Sequence, residues 1–267
     1  MDNVHDGLPA AAEKKSNLLA RDWIAGLERG LAVIEVFDED HPRLTAKQVG
    51  DRCGLARTAA RRYLLTLEHL GFVASDSKHY WLTPKVMRLG QRYLASARLP
   101  RIAQPYLQRI SSAIEEIAYL AVLDEGEIVY VARNGPNRVM NSGFVLGARV
   151  ISHVTAAGLL LMAHRADEDL DAWLAARELA AFTPYTVTDK TVFRSNLTAI
   201  RQQGWAVSER QFDMDCRGIA VPLRDMRGEI QGALSVVMPI RQETQEDALG
   251  RVLPVLLNTA QALRNVI

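Results

Sequence analysis

Cysteine is scarce in this chain: its 267 residues contain two, Cys53 and Cys216, far apart in sequence. So few thiols exclude the disulfide framework of a small secreted domain and fit a reducing cytoplasm. Long apolar runs are missing too. The longest, around Gly158–Ala163, falls far short of the ~20 residues that cross a bilayer, so no membrane span is expected. The opening text MDNVHDGLPAAAEKKSNLLA has no apolar h-region and predicts no signal peptide. The six histidines (His5, His41, His69, His79, His153, His164) form no i, i+4 pair and no Cys/His cluster, so no metal site is expected. Neither G-x-G-x-x-G nor a P-loop occurs, which argues against a nucleotide cofactor; no cofactor of any kind is expected. No nucleophile-elbow text surrounds Cys216, which speaks against an enzyme with Cys216 as nucleophile and His153 as base.

Net charge is nearly absent as well, at +1, but it is unevenly spread. Between His41 and Arg98 eleven Lys/Arg stand against three Asp/Glu, a local +8; from Leu99 onward seventeen face nineteen, a local −2. A basic segment in a neutral chain is either a solvated helix face or the footprint of a module that neutralises phosphates. The pattern inside the segment favours the second.

Residues 1–20 are polar, Ala-rich and aperiodic, and a disordered tail is expected there. Leu27, Leu31, Ile34 and Phe37 then follow the helical repeat and predict a helix over 27–37. Thr45 and Gln48 form a T-x-x-Q capping box that opens a short helix to about Arg52, and Gly54 supplies a left-handed turn. A third helix follows over about 56–70. Short helix, glycine turn and longer helix make a helix-turn-helix. On the third helix Arg57, Thr58, Arg61 and Arg62 form one polar stripe over the first two turns, opposite an expected buried side of Leu55, Ala59, Ala60, Tyr63, Leu64, Leu67 and Leu70. That is the part of a recognition helix that enters the major groove of double-stranded DNA. Guanidinium groups there can fork onto guanine O6 and N7 or clamp phosphates. Thr45, opening the preceding helix, joins the candidate DNA-facing set. Phe72–Ser75 and Tyr80–Leu82 predict a hairpin wing that carries Lys78 and His79 toward the phosphate backbone; a plain turn role for His79 is equally open. Thr83 and Pro84 then start a connecting helix to about Ser96.

The remainder predicts an α+β domain, with helices packed on an antiparallel sheet. Helices are expected near 102–117, 155–164, 168–176, 189–203 and 243–266. Strands are expected near 118–123, 128–133, 205–208, 218–223 and 230–237, with an extended piece near 139–144. The domains are therefore 1–20 (tail), 21–82 (DNA-binding), 83–98 (linker helix) and 99–267 (sensor). The segment 147–158 runs from a loop into a helix, and free N–H groups at a helix N-terminus bind anions. Thr155 is the expected cap, and Arg149, Ser152, His153 and Arg138 are the candidate polar contacts to a bound acid. Surface or interface roles for the two arginines, and a structural role for His153, remain open alternatives.

These residues carry a family likeness. Residues 23–96 resemble the DNA-binding part of IclR-family regulators, through GLERGLAVIEVF, LTAKQVGDRCGLARTAARRYLLTLEHLGFV and YWLTPKVMRLG. The likeness continues through YLAVLDEGEIVYVAR, HVTAAGLLLMAH, GWAVSERQFDMDCRGIAVPLRD and GALSVVMP. Within that family the opening RDWIAGLERGLAVIEVFD is most similar to the PcaR, PcaU and PobR subgroup, which controls catabolism of protocatechuate and 4-hydroxybenzoate. The resemblance implies a winged helix-turn-helix joined to a GAF-like effector domain, in a homodimer or homotetramer on operator DNA. It implies an effector that is a small aromatic or keto acid, and activation through RNA polymerase more often than repression. It also implies a ligand cavity walled by Ala156, Ala157, Cys216, Gly218, Ser235 and Val237. The departures are Ala56, where family recognition helices often open with Pro, and Asp215 and Gly218, where many relatives carry Gly and Ser or Cys.

Overall fold

A computed structural model describes residues 19–136, 144–240 and 243–267, folded as two compact units that part between Leu89 and Gly90. In the first unit a 3-10 turn at Ala20–Asp22 precedes α1 (Ala25–Glu35). α1 turns Val33 into the core, whereas Ile24, Leu27 and Leu31 are exposed. Helical periodicity finds an apolar stripe without saying what covers it.

β1 (Leu44–Thr45) leads into α2 (Ala46–Cys53), which Thr45 caps. The Gln48 N–H donates to Thr45 Oγ1 at 3.3 Å, and the Thr45 N–H donates to Gln48 Oε1 at 2.9 Å. Gly54, at φ 64°, ends α2 in the left-handed conformation. Gly50 is needed for a second reason: a Cβ there would lie 2.6 Å from the Leu55 carbonyl oxygen, so α2 and the turn touch backbone to backbone. α3 (Arg57–His69) follows, then the antiparallel hairpin of β2 (Val73–Ser75) and β3 (His79–Leu82). β1 adds to β3 and completes a three-stranded sheet; two residues are too few to announce themselves as a strand in the sequence. Val33, Val36, Val49, Leu64, Leu67 and Tyr80 fill the core beneath. A 3-10 turn at Pro84–Val86, capped by Thr83, leads into α4 (Met87–Ser96), which contains the boundary between the units and buries none of its residues.

The second unit begins with α5 (Arg98–Ile114). This helix starts four residues before its expected position because Pro100 occupies its first turn, where a missing N–H costs nothing. The sheet holds β4 (Ile117–Asp124), β5 (Glu127–Asn134), β6 (Arg149–Ile151), β7 (Ala206–Glu209), β8 (Cys216–Arg224) and β9 (Ile230–Pro239). Its order is β6-β5-β4-β9-β8-β7, with every neighbouring pair antiparallel. The remaining helices are α6 (Ala156–Ala163), α7 (Asp167–Ala175), α8 (Lys190–Gln203) and α9 (Gln245–Arg264).

Strand residues alternate between two buried layers, as a period of two requires. Ile117, Tyr119 and Ala121 of β4 face the layer of α6, α7 and α8, while Ala118 and Leu120 face that of α5 and α9. α6 is apolar on every side, and all eight of its residues are buried, as befits a helix enclosed by the domain. β6 was not foreseen, because Arg149–Ile151 lies within text that reads as loop. Of the expected extended piece near 139–144, Phe144 alone lies within the described residues.

Candidate functional sites

The first site is the outer face of α3. Ala60, Leu64 and Leu67 are buried against the core and Leu55, Ala59 and Tyr63 are half-buried, which turns Arg57, Thr58, Arg61 and Arg62 to solvent; Leu70, expected on the buried side, is exposed because it lies past the last turn as the C-cap of α3. None of the three arginines has a side-chain partner among the described residues, so each guanidinium is free to take an external acceptor. Thr45 differs from them. It is half-buried, and its hydroxyl is spent in the cap, donating to Gln48 Oε1 at 2.9 Å; only the helix terminus it opens is left to meet a phosphate.

The β2–β3 turn is shaped by Asp76. Its carboxylate accepts from the backbone N–H of His79 at 2.7 Å and of Lys78 at 3.1 Å, and pairs with Arg43 at 2.9 Å. These donors hold its carboxyl below the usual carboxylate range. Arg43 also lies over the Trp81 ring, 4.2 Å from its centroid, so it braces the wing. Lys78 is exposed and has no side-chain partner among the described residues, whereas His79 is half-buried with Nδ1 3.7 Å from Asp76 Oδ2.

The second site is a cavity in the second unit, partly open to solvent; its free space of about 340 Å³ includes solvent at the mouth. Its floor is the sheet: Tyr130 of β5, Ser208 of β7, Cys216 and Gly218 of β8, Ser235 and Val237 of β9. Its roof is Val154 with Thr155, Ala156 and Ala157 at the head of α6, and Phe144, Phe212 and Asp213 complete the wall. Gly218 lets the helix come down onto the sheet, since an added Cβ would meet Ala156 Cβ at 3.2 Å. Phe212 is held between Phe144, at 5.6 Å between ring centroids, and Phe182, at 5.4 Å. The hydroxyls of Thr183 and Thr186 pin the backbone beside it, donating to the carbonyls of Arg210 and Gln211 at 2.5 and 2.6 Å.

No cationic side chain occurs among the described lining residues; the donors are neutral. The first backbone N–H groups of a helix have no intrahelical acceptor. That of Gly158 is taken by Thr155 Oγ1 at 3.1 Å, which leaves those of Ala156 and Ala157. Ser235 is 2% exposed, yet its hydroxyl has no hydrogen-bond partner. The Ser208 hydroxyl, in contrast, is engaged with the Val154 carbonyl at 2.7 Å. Burial, reinforced by Asp213 and Asp215, pushes the Cys216 thiol up to about 11, so it stays protonated and is no thiolate nucleophile.

Thr155, Ala156, Ala157, Cys216, Gly218, Ser235 and Val237 thus come together around one space. Three other candidates do not. Arg149 pairs with β5 at the sheet edge, opposite Val129, and its guanidinium is tied outside to Asp124 at 2.7 Å and Glu127 at 2.8 Å. Ser152 is buried and donates to the Gly126 carbonyl at 2.7 Å. His153 places Nε2 2.9 Å from the Ala180 carbonyl, and burial lowers its pKa, so the ring is neutral and structural. Arg138 lies outside the described residues. Tyr130, Phe144, Val154, Ser208, Phe212 and Asp213 line the cavity without having been singled out in the sequence. A signal for Phe212 was present, an aromatic residue set in the polar text SERQFDMD.

Comparison with known proteins follows this division. The IclR helix-turn-helix domain model matches residues 26–77, and the model of the C-terminal domain of bacterial IclR transcriptional regulators matches 91–265. The p-hydroxybenzoate hydroxylase transcriptional activator of Acinetobacter baylyi is 36% identical over 272 residues, covering 100% of both chains. The Pca operon regulatory protein of the same organism is 35% identical over 250 residues, 92% of this chain and 90% of that one. The inducer-binding domain of a PobR double mutant from Acinetobacter, solved as a complex with 3-hydroxybenzoic acid, is 33% identical with a TM-score of 0.61. It covers 64% of this chain, which covers 100% of it.

Proposed function

Since this chain belongs to the IclR family of bacterial transcriptional regulators, we propose that it controls genes of aromatic-acid catabolism, with a hydroxylated aromatic monocarboxylate such as 4-hydroxybenzoate or protocatechuate as effector. The observation that carries this reading is the cavity of the second unit, which combines aromatic walls (Tyr130, Phe144, Phe212) with unspent neutral donors at the head of α6 and on Ser235. A ring needs the first and a carboxylate the second. The contacts assigned to the effector are Thr155, Ala156, Ala157, Cys216, Gly218, Ser235 and Val237; catalysis has no part in the reading.

Operator DNA meets Arg57, Thr58, Arg61 and Arg62 in the major groove, with Lys78, His79 and the Thr45 helix terminus at the phosphates. The working form is a homodimer or a homotetramer built from dimers. Its support is the exposed apolar stripe of Leu27 and Leu31 on α1 with Ile24 at its N-cap, which a second copy of the chain would cover so that two recognition helices address a symmetric operator. The direction is activation, as in the relative named a transcriptional activator that aligns over the whole chain; it acts in the cytoplasm, through RNA polymerase. Effector and DNA are coupled when the effector prefers one arrangement of the two DNA-binding units, typically by ~1–3 kcal/mol, and α4 is the connection through which this acts.

Calorimetric titration of the intact chain with benzoates, hydroxybenzoates and β-ketoadipate tests the effector assignment. Saturable binding of 4-hydroxybenzoate or protocatechuate is expected, together with a shift in the affinity for the operator. No saturable binding by any of them returns the second unit to an assembly role, and turnover of any of them makes it an enzyme.

A further inference from the structure

Two tyrosines sit side by side in the second unit, Tyr119 and Tyr130, with ring centroids 4.5 Å apart. Their hydroxyls have different fates. That of Tyr119 donates to the Phe144 carbonyl at 2.8 Å and fixes that wall of the cavity. That of Tyr130 has no hydrogen-bond partner among the described residues, and the residue, 1% exposed, lines the cavity. Ser235 is a buried donor left unpaired, which is costly, and Tyr130 adds a second unspent hydroxyl to the lining of the same space.

The sheet order separates the two. The head of α6 stands over Gly218 on β8, and Ser235 lies on the adjacent β9. Tyr130 is on β5, beyond β4, so that β8 and β5 are three strand spacings apart, about 14 Å between axes. Tyr130 is also displaced along the strands, since it pairs with Ala121 whereas Ser235 pairs with Tyr119. One polar cluster thus lies at the α6 end of the cavity and one lone hydroxyl at the β5 end. Phe144 stands on the Tyr130 side, with ring centroids 6.2 Å apart.

We infer that the Tyr130 hydroxyl is a specificity-determining contact, which hydrogen-bonds the ring hydroxyl para to an effector carboxylate held at the head of α6. Burial pushes its phenol above the usual range, so it remains protonated and able to donate. A site built around such a bond rejects the analogue that lacks the hydroxyl, because its own buried group is then left without a partner. The assignment rests on the effector reading above and sharpens it from aromatic acids in general to those hydroxylated at position 4.

The experiment is calorimetric titration of the intact wild-type chain and of Tyr130→Phe with benzoate, 4-methylbenzoate, 3-hydroxybenzoate and 4-hydroxybenzoate. Wild type is expected to favour 4-hydroxybenzoate over benzoate and 4-methylbenzoate by about tenfold or more, and Tyr130→Phe to narrow that ratio to within about twofold with benzoate affinity nearly unchanged. Ser235→Ala is expected to weaken benzoate and 4-hydroxybenzoate alike, leaving the ratio in place. An unchanged ratio in Tyr130→Phe overturns the assignment. If that variant does not fold, the wild-type series still decides, because equal affinity for 4-methylbenzoate and 4-hydroxybenzoate overturns it too. Failure of wild type to bind any of the four overturns the effector reading itself, which is a different result.

Discussion

The two sites solve anion recognition in opposite ways. On α3 the charged groups are exposed, unpaired and numerous; in the cavity no cation occurs among the described lining residues, and the donors are backbone N–H groups and hydroxyls. The difference follows from the environment. A duplex brings a dense row of phosphates to a wet surface, where flexible guanidinium groups cost little to hold ready and gain by releasing condensed counterions. A small acid enters a dry space, where an unpaired buried cation would carry a heavy desolvation cost in the empty protein. Fixed dipoles at a helix head avoid that cost because they are neutral and already oriented.

Four measurements would break or sharpen this contrast. The largest effect belongs to Arg61→Ala, expected to weaken operator binding by about 1–3 kcal/mol if it forks onto a base, or to lower the salt slope by about one if it holds a phosphate. Effector affinity should stay put in titration calorimetry; equal loss of both would show that the sites are not separate. Gly50→Ala comes next. Its methyl meets the Leu55 carbonyl at 2.6 Å, and about 1–3 kcal/mol of destabilisation is expected. Calorimetric unfolding should show the loss in the first unit alone, and a uniform shift of both units would contradict their independence. Gly218→Val is the counterpart in the cavity: added bulk beneath Ala156 should reduce effector affinity roughly tenfold or more while basal DNA binding persists. Wild-type affinity in that variant would remove β8 from the floor of the site.

The smallest effect is a pH dependence confined to the second unit. His153 and His164 are both buried there, and burial lowers the pKa of each. Below the unfolded value of about 6.5, the unfolded chain takes up protons that the folded unit resists. Their contribution is therefore complete above that pH and is lost as pH falls through it. The thermal midpoint of the second unit should decline from pH 7.5 to pH 5.5, and His153→Gln should flatten the decline. A midpoint that stays level over that interval would show that these rings are not held neutral.

The same contrast explains what could be read from the sequence. The DNA-binding unit was legible almost residue by residue, because its signals are local: the Thr45–Gln48 cap, the Gly54 turn, and a polar stripe against a buried one on α3. The cavity was legible only in part, because its wall gathers from strands and loops distant in the chain. Both faces of the sheet are buried, so alternation says that Tyr130 and Tyr119 point one way and Leu120 the other, but not which layer holds a space. The polar candidates beside the helix head failed for a related reason. Arg149 sits on an edge strand too short to recognise, and there its neighbours Asp124 and Glu127 claim it. The helical repeat of Leu27 and Leu31 marked a helix but not its surroundings, since both are exposed among the described residues.

β8 serves two masters. Cys216 and Gly218 look into the cavity, while Arg217 between them turns to the other layer, 2% exposed, with Nε 2.6 Å from Glu209 and further bonds to the carbonyls of Glu243 and Thr244 where α9 begins. Arg251 of α9 in turn grips Glu243 and donates to the Ile114 carbonyl at the end of α5. A floorboard nailed from below cannot sink under a load. Any volume a guest demands must be found by lifting the α6 side, or else be passed through those guanidinium rivets into the two long helices on the reverse.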